Sequence, residues 1–463
     1  MAAPGSSGWL PRRALAWAML FALLVSLCLF GRFLQDHDWE WGRERCALLA
    51  IFALLVLVAR SPAGRLTLSH PLAGALWIAA LIALALDART GIQTLRHAAE
   101  TGEIRLDQGQ NTLRAARLLL RGENPYARGQ LLDLEAYFTR FQQRAESGLA
   151  PRARPDQLRP LAAAWWRTLD PRARELLLPP PPAGNPAAAR EHALYGYKYG
   201  PVLPIVTAPV QALIGPAAVP LLQLVFWLGW MVLLALALRA AEVDWGGIAL
   251  ALLAISLEPN VEHNALYLSA SDVWVLALMS GAVLAFLRRR PVVLGLCAAA
   301  AMACKMLPAL LLAPLLFLPL RRQASSFAAV VACLSGLLLL LGPFALWDPL
   351  GLWADLVRWP SVMRPDNTHW SFYARDQARL LGRLALSVAV ALAALQLVRA
   401  RRIDAATWFR FLAGSSAAAV LGGVAFHNNY APWFTVWGNC AVVAAFLGAD
   451  SARAHAPEAS ANT

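Results

Sequence analysis

Two groups of opposite charge stand beside apolar runs and invite a chemical reading. Asp107 opens the stretch Asp107-Gln-Gly-Gln-Asn111, which is followed by Arg114-Ala-Ala-Arg117. A carboxylate at the mouth of a membrane cavity can take a proton from a hydroxyl as that oxygen attacks an anomeric carbon. Such a transfer also needs cations to hold a leaving phosphate. Arg114 is close in sequence, and Lys305 is a lone cation in the apolar run 291–320. Ionisable groups at membrane depth are costly, so each raises a functional question. Each also has a plainer reading. An Asp before a helix more commonly caps it. A lone Lys can snorkel to the interface, and Arg114 or Arg117 can anchor headgroups.

Further polar and aromatic groups cluster between apolar runs. Tyr126 closes the turn Asn124-Pro125-Tyr126, and Lys198 and Tyr199 stand just before the run 201–215. His263 and Asn264, with Glu262, separate two apolar runs and either line a cavity or form an ordinary loop. The loop holding Asn367, His369 and Trp370 is dense in hydrogen-bonding and stacking groups, and Trp370 is suited to a sugar face. His427 and Asn428 lie between the last two apolar runs, where they bind an acceptor or simply turn the chain. No metal site is legible: there is no HExxH and no Cys/His ligand spacing, and Asp36-His-Asp38 sits in a short loop. No phosphate-cradling glycine loop appears, which argues against a nucleotide-sugar donor. Six cysteines, Cys28, Cys46, Cys297, Cys304, Cys333 and Cys440, show no CxxC spacing and read as small core hydrophobes.

The elements that must position these residues are apolar helices. The chain has 463 residues, 59% hydrophobic and 15% charged, against about 45–50% and about 25% in soluble domains. Too few polar residues remain to cover a water-facing surface, so most of it must face lipid. Apolar runs fall near 14–31, 46–60, 70–87, 201–215, 217–238, 246–258, 264–287, 291–320, 326–346, 379–398, 405–426 and 433–448. They predict an all-α, polytopic bundle of roughly 11–13 transmembrane helices. The net charge is +13, from 41 Lys+Arg against 28 Asp+Glu. The bases form short clusters beside apolar runs, not a stripe with interleaved aromatics, which speaks for membrane lipids and against nucleic acid as partner.

The densest clusters are Arg12/Arg13, Arg60/Arg65, the triplet 288–290, Arg321/Arg322 and Arg399/Arg401/Arg402, and the positive-inside rule puts them in the cytoplasm. Four parts follow: N-terminal transmembrane helices over 1–87, a large extracytoplasmic loop with amphipathic helices over 88–199, a transmembrane core over 200–448, and a disordered tail over 449–463. One conflict arises. Four apolar runs lie between the outer loop and the 288–290 triplet, where an odd number of crossings is required. Either 201–215 or 246–258 is therefore re-entrant. The run 291–320, with Lys305 and Pro308 inside it, reads as a hairpin of two short helices.

The ordered motifs resemble glycosyltransferase family 87. The pattern Asp107, then Ala115-Ala116-Arg117, Leu118-Leu119, Gly122, Asn124-Pro125-Tyr126 is similar to that family's first outer loop. Tyr197-Lys198-Tyr199-Gly200-Pro201 is similar to its Tyr-Pro-Pro helix start, His263-Asn264 falls where it often has Gly-Gln or Asn, and Lys305-Met-Leu-Pro308 is similar to its Lys-x-x-Pro. Two features depart from the pattern. The family's Asp usually stands nearer the Ala-Ala pair and follows the first helix; here Gly109 holds that spot and an extra hairpin precedes it. The resemblance implies a GT-C-like multi-pass protein of a bacterial plasma (inner) membrane. It would transfer a hexose, mannose by analogy, from a polyprenyl-phosphate-sugar donor to a lipid or glycan acceptor, with inversion and without a cofactor. Asp107 would be the base, and Lys305 with Arg114 would face the donor phosphate. Tyr126, Lys198, Tyr199, His263, Asn264, Asn367, His369, Trp370, His427 and Asn428 are the expected substrate-binding set. A flippase or transporter of a lipid-linked or anionic substrate, and a surface-polysaccharide polymerase or ligase, are the rival classes.

Overall fold

The computed structural model describes residues 9–35, 43–105, 107–126, 197, 199–305, 308–309, 311–312, 325–353, 355–356, 405–422 and 431–448. Among these residues every regular element is helical. In chain order they are α1 (Trp9–Gln35), α2 (Arg43–Val58), α3 (His70–Thr101), α4 (Asp107–Leu120), α5 (Val202–Ile214), α6 (Ala218–Ala240), α7 (Trp245–Ser256) and α8 (Pro259–Glu262). Then come a π-helical turn (His263–Tyr267), α9 (Asp272–Leu287), α10 (Pro291–Met302), α11 (Ser325–Trp347), α12 (Pro349–Trp353), α13 (Ala405–Gly422) and α14 (Ala431–Leu447).

Among the described residues four spans, Arg12–Phe33, His70–Thr101, Val202–Ala240 and Phe327–Trp347, are long and apolar enough to cross a membrane, and the pair Pro259–Tyr267 and Asp272–Leu287, bent by 113°, passes the same test when taken as one span. Shorter apolar helices pack among them. Large apolar side chains lie bare on the outside, among them Ile78, Leu81 and Ile82 of α3 and Leu338 and Leu339 of α11. In water that surface would aggregate; against hydrocarbon it is matched. Among the described residues six tryptophans are fully buried, Trp227, Trp230, Trp274, Trp408, Trp433 and Trp437. The chain is an integral membrane protein with an all-α polytopic bundle.

Helix polarity sorts the bundle into two ends. At one end Leu66 N bonds Phe446 O (2.8 Å), Trp77 packs on Trp245 with ring centroids 6.2 Å apart, and the Arg239 guanidinium lies 5.7 Å from the Trp245 ring. Arg60, Arg65 and the 288–290 triplet belong to this end, as do Arg12 and Arg13, because α1 runs antiparallel to α14 with Phe30 against Phe434 (6.1 Å). At the other end lie Gly102, Glu258, Asp272, Lys305 and Trp433. α9 spans 16 residues between the two ends, or about 24 Å.

The polarity resolves the crossing conflict. α5 packs on α4 and has both ends at the end opposite the 288–290 triplet. Its first residue bonds back to Ala303 O (3.5 Å), and Pro216, just past its last, lies against Gly102. Gly215, at φ 64, breaks the path before α6. The piece that does not cross is therefore 201–215, while α7 starts beside Leu68 at the basic end and finishes at Ser256, two residues before Glu258. Helix α3 also continues past the apolar run 70–87 to Thr101, where Gly102 at φ 73 caps it. The division drawn at 87/88 falls inside a helix, because hydropathy marks where a chain leaves an apolar environment, not where its hydrogen bonds stop. In 291–320, α10 ends at Met302 and the chain breaks before Lys305. At the α10–α11 crossing a Cβ on Gly295 would overlap Ala329 and Ala332, so the two backbones pack at the distance small residues allow.

Candidate functional site

The end opposite the basic clusters gathers charge that the apolar interior would not otherwise admit. The π turn at His263–Tyr267 and Ser269 at φ 60 turn the chain through 113° and set Asp272 at the first residue of α9. A non-glycine residue in the left-handed region is strained, and π turns recur at functional sites. Gln223 Nε2 steadies the bend by donating to Ser269 O (3.1 Å). The N-terminus of α9 favours the Asp272 charge.

Asp272 is a shared acceptor. Lys305 Nζ and Trp433 Nε1 both donate to its Oδ1, at 2.7 and 2.8 Å. The Asp272 and Lys305 side chains are 5% and 8% exposed, so this is a buried ion pair. Such a pair is weak evidence for stability, because desolvation offsets most of its attraction. Lys305 Nζ also lies 5.9 Å from the Tyr199 ring.

The segment before α5 is pinned here by backbone bonds. Gly200 N donates to Cys304 O (3.0 Å), and a Cβ on Gly200 would overlap the Ala303 carbonyl, so only glycine fits. Tyr126 Oη donates to Tyr199 O (2.8 Å). The Asn124 side chain accepts from Tyr126 N (3.0 Å), which makes Asn124-Pro125-Tyr126 an Asx turn. Tyr197 sits between these rings, and its hydroxyl shares a hydrogen bond with Thr112 of α4 (3.0 Å). Burial pushes the Tyr126 and Tyr197 hydroxyls well above the usual phenol range, so both are held neutral.

Helix α4 reaches the same spot by its N-terminus. Gln108, buried, donates to Ser271 Oγ, and Ser271 immediately precedes Asp272. Residue 107 opens α4, one position before that contact. Its side chain lies outside the described residues. Arg114 is half-buried further along α4, and Arg117 is exposed.

Of the sequence-predicted set, Lys305, Tyr199 and Tyr126 are brought together. Asn264 borders a small void that Asp272 and Asn260 also line, and its Nδ2 donates to Asn260 O (2.9 Å). His263 instead stacks on Tyr267 (5.3 Å), over which the Arg105 guanidinium sits at 4.1 Å. Lys198, Asn367, His369, Trp370, His427 and Asn428 lie outside the described residues. Among the described residues no three His, Cys, Asp or Glu side chains group to hold a metal.

Sequence reasoning missed Asp272, Trp433 and Gln108. Asp272 had a signal: an acid directly after Ser269-Ala-Ser271 opening an apolar run is an ionisable residue at membrane depth. Trp433 had none, since one indole among 18 tryptophans carries no mark of its partner. No curated relative and no solved structure matches the chain. A family model does match, over residues 197–426, described as Glycosyltransferase family 87. That segment contains Tyr199, Asp272 and Lys305 and begins after the 107–126 stretch. With the charge cluster on the matched segment and an all-helical membrane bundle around it, the chain belongs to glycosyltransferase family 87 and is a membrane glycosyltransferase.

Proposed function

We propose that the protein transfers a hexose, mannose in the first instance, from a polyprenyl-phosphate donor to a lipid or glycan acceptor on the extracytoplasmic face. The supporting observation is the convergence of two elements on one pair of residues. The N-terminus of α4 contacts Ser271 through Gln108, and the next residue, Asp272, pairs with Lys305. Residue 107, which would carry the base, and residue 305, which would carry the cation, thus belong to segments that meet at one turn.

In this reading the Asp107 carboxylate accepts the acceptor's hydroxyl proton as that oxygen attacks C1 of the sugar. The bond from C1 to the phosphate oxygen breaks with inversion, and polyprenyl phosphate departs with the electron pair. Lys305, with Arg114, balances the negative charge gathering on that phosphate. Asp272 and Trp433 act before chemistry, by holding the ammonium in place beneath Tyr199. The basic clusters at the opposite end support an extracytoplasmic site, because such clusters stay in the cytoplasm.

The test uses membranes carrying wild type and Asp107→Asn, supplied with radiolabelled polyprenyl-phosphate mannose. Transfer by wild type and a loss of about 100-fold or more in the variant is expected for a missing general base. Equal transfer by both would remove Asp107 from the mechanism, and no transfer by wild type would refute this donor.

A further inference from the structure

A second site lies at the other end of the bundle. A groove of about 770 Å³ runs between α6, α9 and α10. Its walls are apolar, with Phe226 and Leu233 on one side, and two of its positions are glycines, Gly229 and Gly281. The missing side chain at Gly229 leaves open space, since an added Cβ would meet nothing within 4 Å, whereas at Gly281 an added Cβ would press on Cys297 Sγ at 3.2 Å. The groove ends at Arg288, which caps α9, and Arg290, which precedes α10. Both are exposed at the groove's mouth, and neither has an ion-pair partner among the described residues.

The dimensions and the charge select the occupant. The groove follows α6 from Val225 to Leu236 and α9 from Ala277 to Arg288, about 16 Å along each helix. That is about half of the roughly 30 Å hydrocarbon thickness, one leaflet deep. An apolar slot one leaflet deep with two guanidinium groups at its mouth matches an acyl chain joined to a phosphate. A polyprenyl donor entering from the Lys305 end would bring its phosphate to the opposite end and lay only hydrocarbon beside the arginines.

We propose that this groove binds an anionic glycerophospholipid from the leaflet at the basic end, its phosphate held by Arg288 and Arg290 and one acyl chain lying along Gly229 and Gly281. The site is separate from the transfer reaction and does not depend on the donor assigned above. Lipid held there would brace α6 and α9, the helices that carry Gln223 and Asp272 to the charge cluster.

The test is native mass spectrometry of the purified full chain titrated with phosphatidylglycerol or phosphatidylcholine. Wild type should bind phosphatidylglycerol preferentially. The double variant Arg288→Gln/Arg290→Gln should lose about 30-fold of that affinity, from two bases near the headgroup. Gly229→Leu should weaken binding of both lipids by filling the slot. It is the second arm should the arginine exchange impair folding. Equal binding of the two lipids by wild type, a phosphatidylglycerol preference that survives the arginine exchange, undiminished binding of both lipids by Gly229→Leu, or displacement of phosphatidylglycerol by polyprenyl phosphate would each overturn the proposal.

Discussion

Lys305 and Asp272 form a buried pair whose members have different consequences when removed. Lys305→Ala leaves the Asp272 carboxylate uncompensated beside Trp433, and breaking a buried pair on one side costs about 3–5 kcal/mol. Replacing both partners by apolar residues of similar size is often neutral for stability. The double variant Lys305→Met/Asp272→Leu should therefore regain most of the stability lost in Lys305→Ala, read by thermal unfolding in detergent. Its sugar transfer should stay abolished, because the lysine that faces the donor phosphate is gone and Arg114 alone does not replace it. Transfer restored along with stability would show that the lysine serves only the fold. The pairing also accounts for a lysine in an apolar run without snorkelling, since its ammonium is 2.7 Å from a buried carboxylate.

At the scale of elements, the site depends on close approach between segments far apart in sequence. The passage 199–201 has no regular structure of its own and is held by Gly200 N to Cys304 O (3.0 Å) and by Tyr126 Oη to Tyr199 O (2.8 Å). Gly200→Ala would push its methyl into the Ala303 carbonyl. Overpacking of this kind costs about 1–3 kcal/mol, and here the displaced atoms are backbone next to Lys305. The expected result is a lowered unfolding temperature together with a loss of transfer larger than the fall in folded protein. A variant that keeps wild-type turnover per folded molecule would mean that the 199–201 passage does not position Lys305. The bend at 263–271 works alike, with Ser269 at φ 60 turning α9 so that its N-terminus, not its side, meets α4.

The whole molecule has a polarity that can be read from outside the cell. Arg60, Arg65, Arg239 and the 288–290 triplet share one end, and the Asp272–Lys305 pair lies about 24 Å away at the other. The positive-inside rule then predicts opposite compartments for the turns at Gly122 and Arg289. Epitope tags inserted at these turns should be reached by antibody in intact cells at Gly122 and only after permeabilisation at Arg289. A tag at Gly215 should behave like the one at Gly122, because α5 turns back without crossing. Gly215 grouped with Arg289 would overturn that path for α5.

The amino-acid order by itself determined the class of solvent and the class of fold. A chain 59% hydrophobic and 15% charged cannot cover itself with polar groups, and in lipid only helices or closed barrels satisfy the backbone. Runs about 20 residues long then select helices. The family resemblance was legible for a related reason. Glycine at 200, where a Cβ would overlap backbone, and the Asn124-Pro125-Tyr126 turn are demands of local geometry that leave a mark on the residue itself. What only the tertiary structure decided is pairing. Asp272 finds Lys305 across 33 positions and Trp433 across 161, and nothing local to a tryptophan in an apolar run foretells that its N–H will meet a carboxylate. The path of α5 belongs to the same class. The 13-residue helix α5, about 20 Å long, is too short to cross alone, and where it lies along the bundle is decided by its contacts with α4 and Ala303.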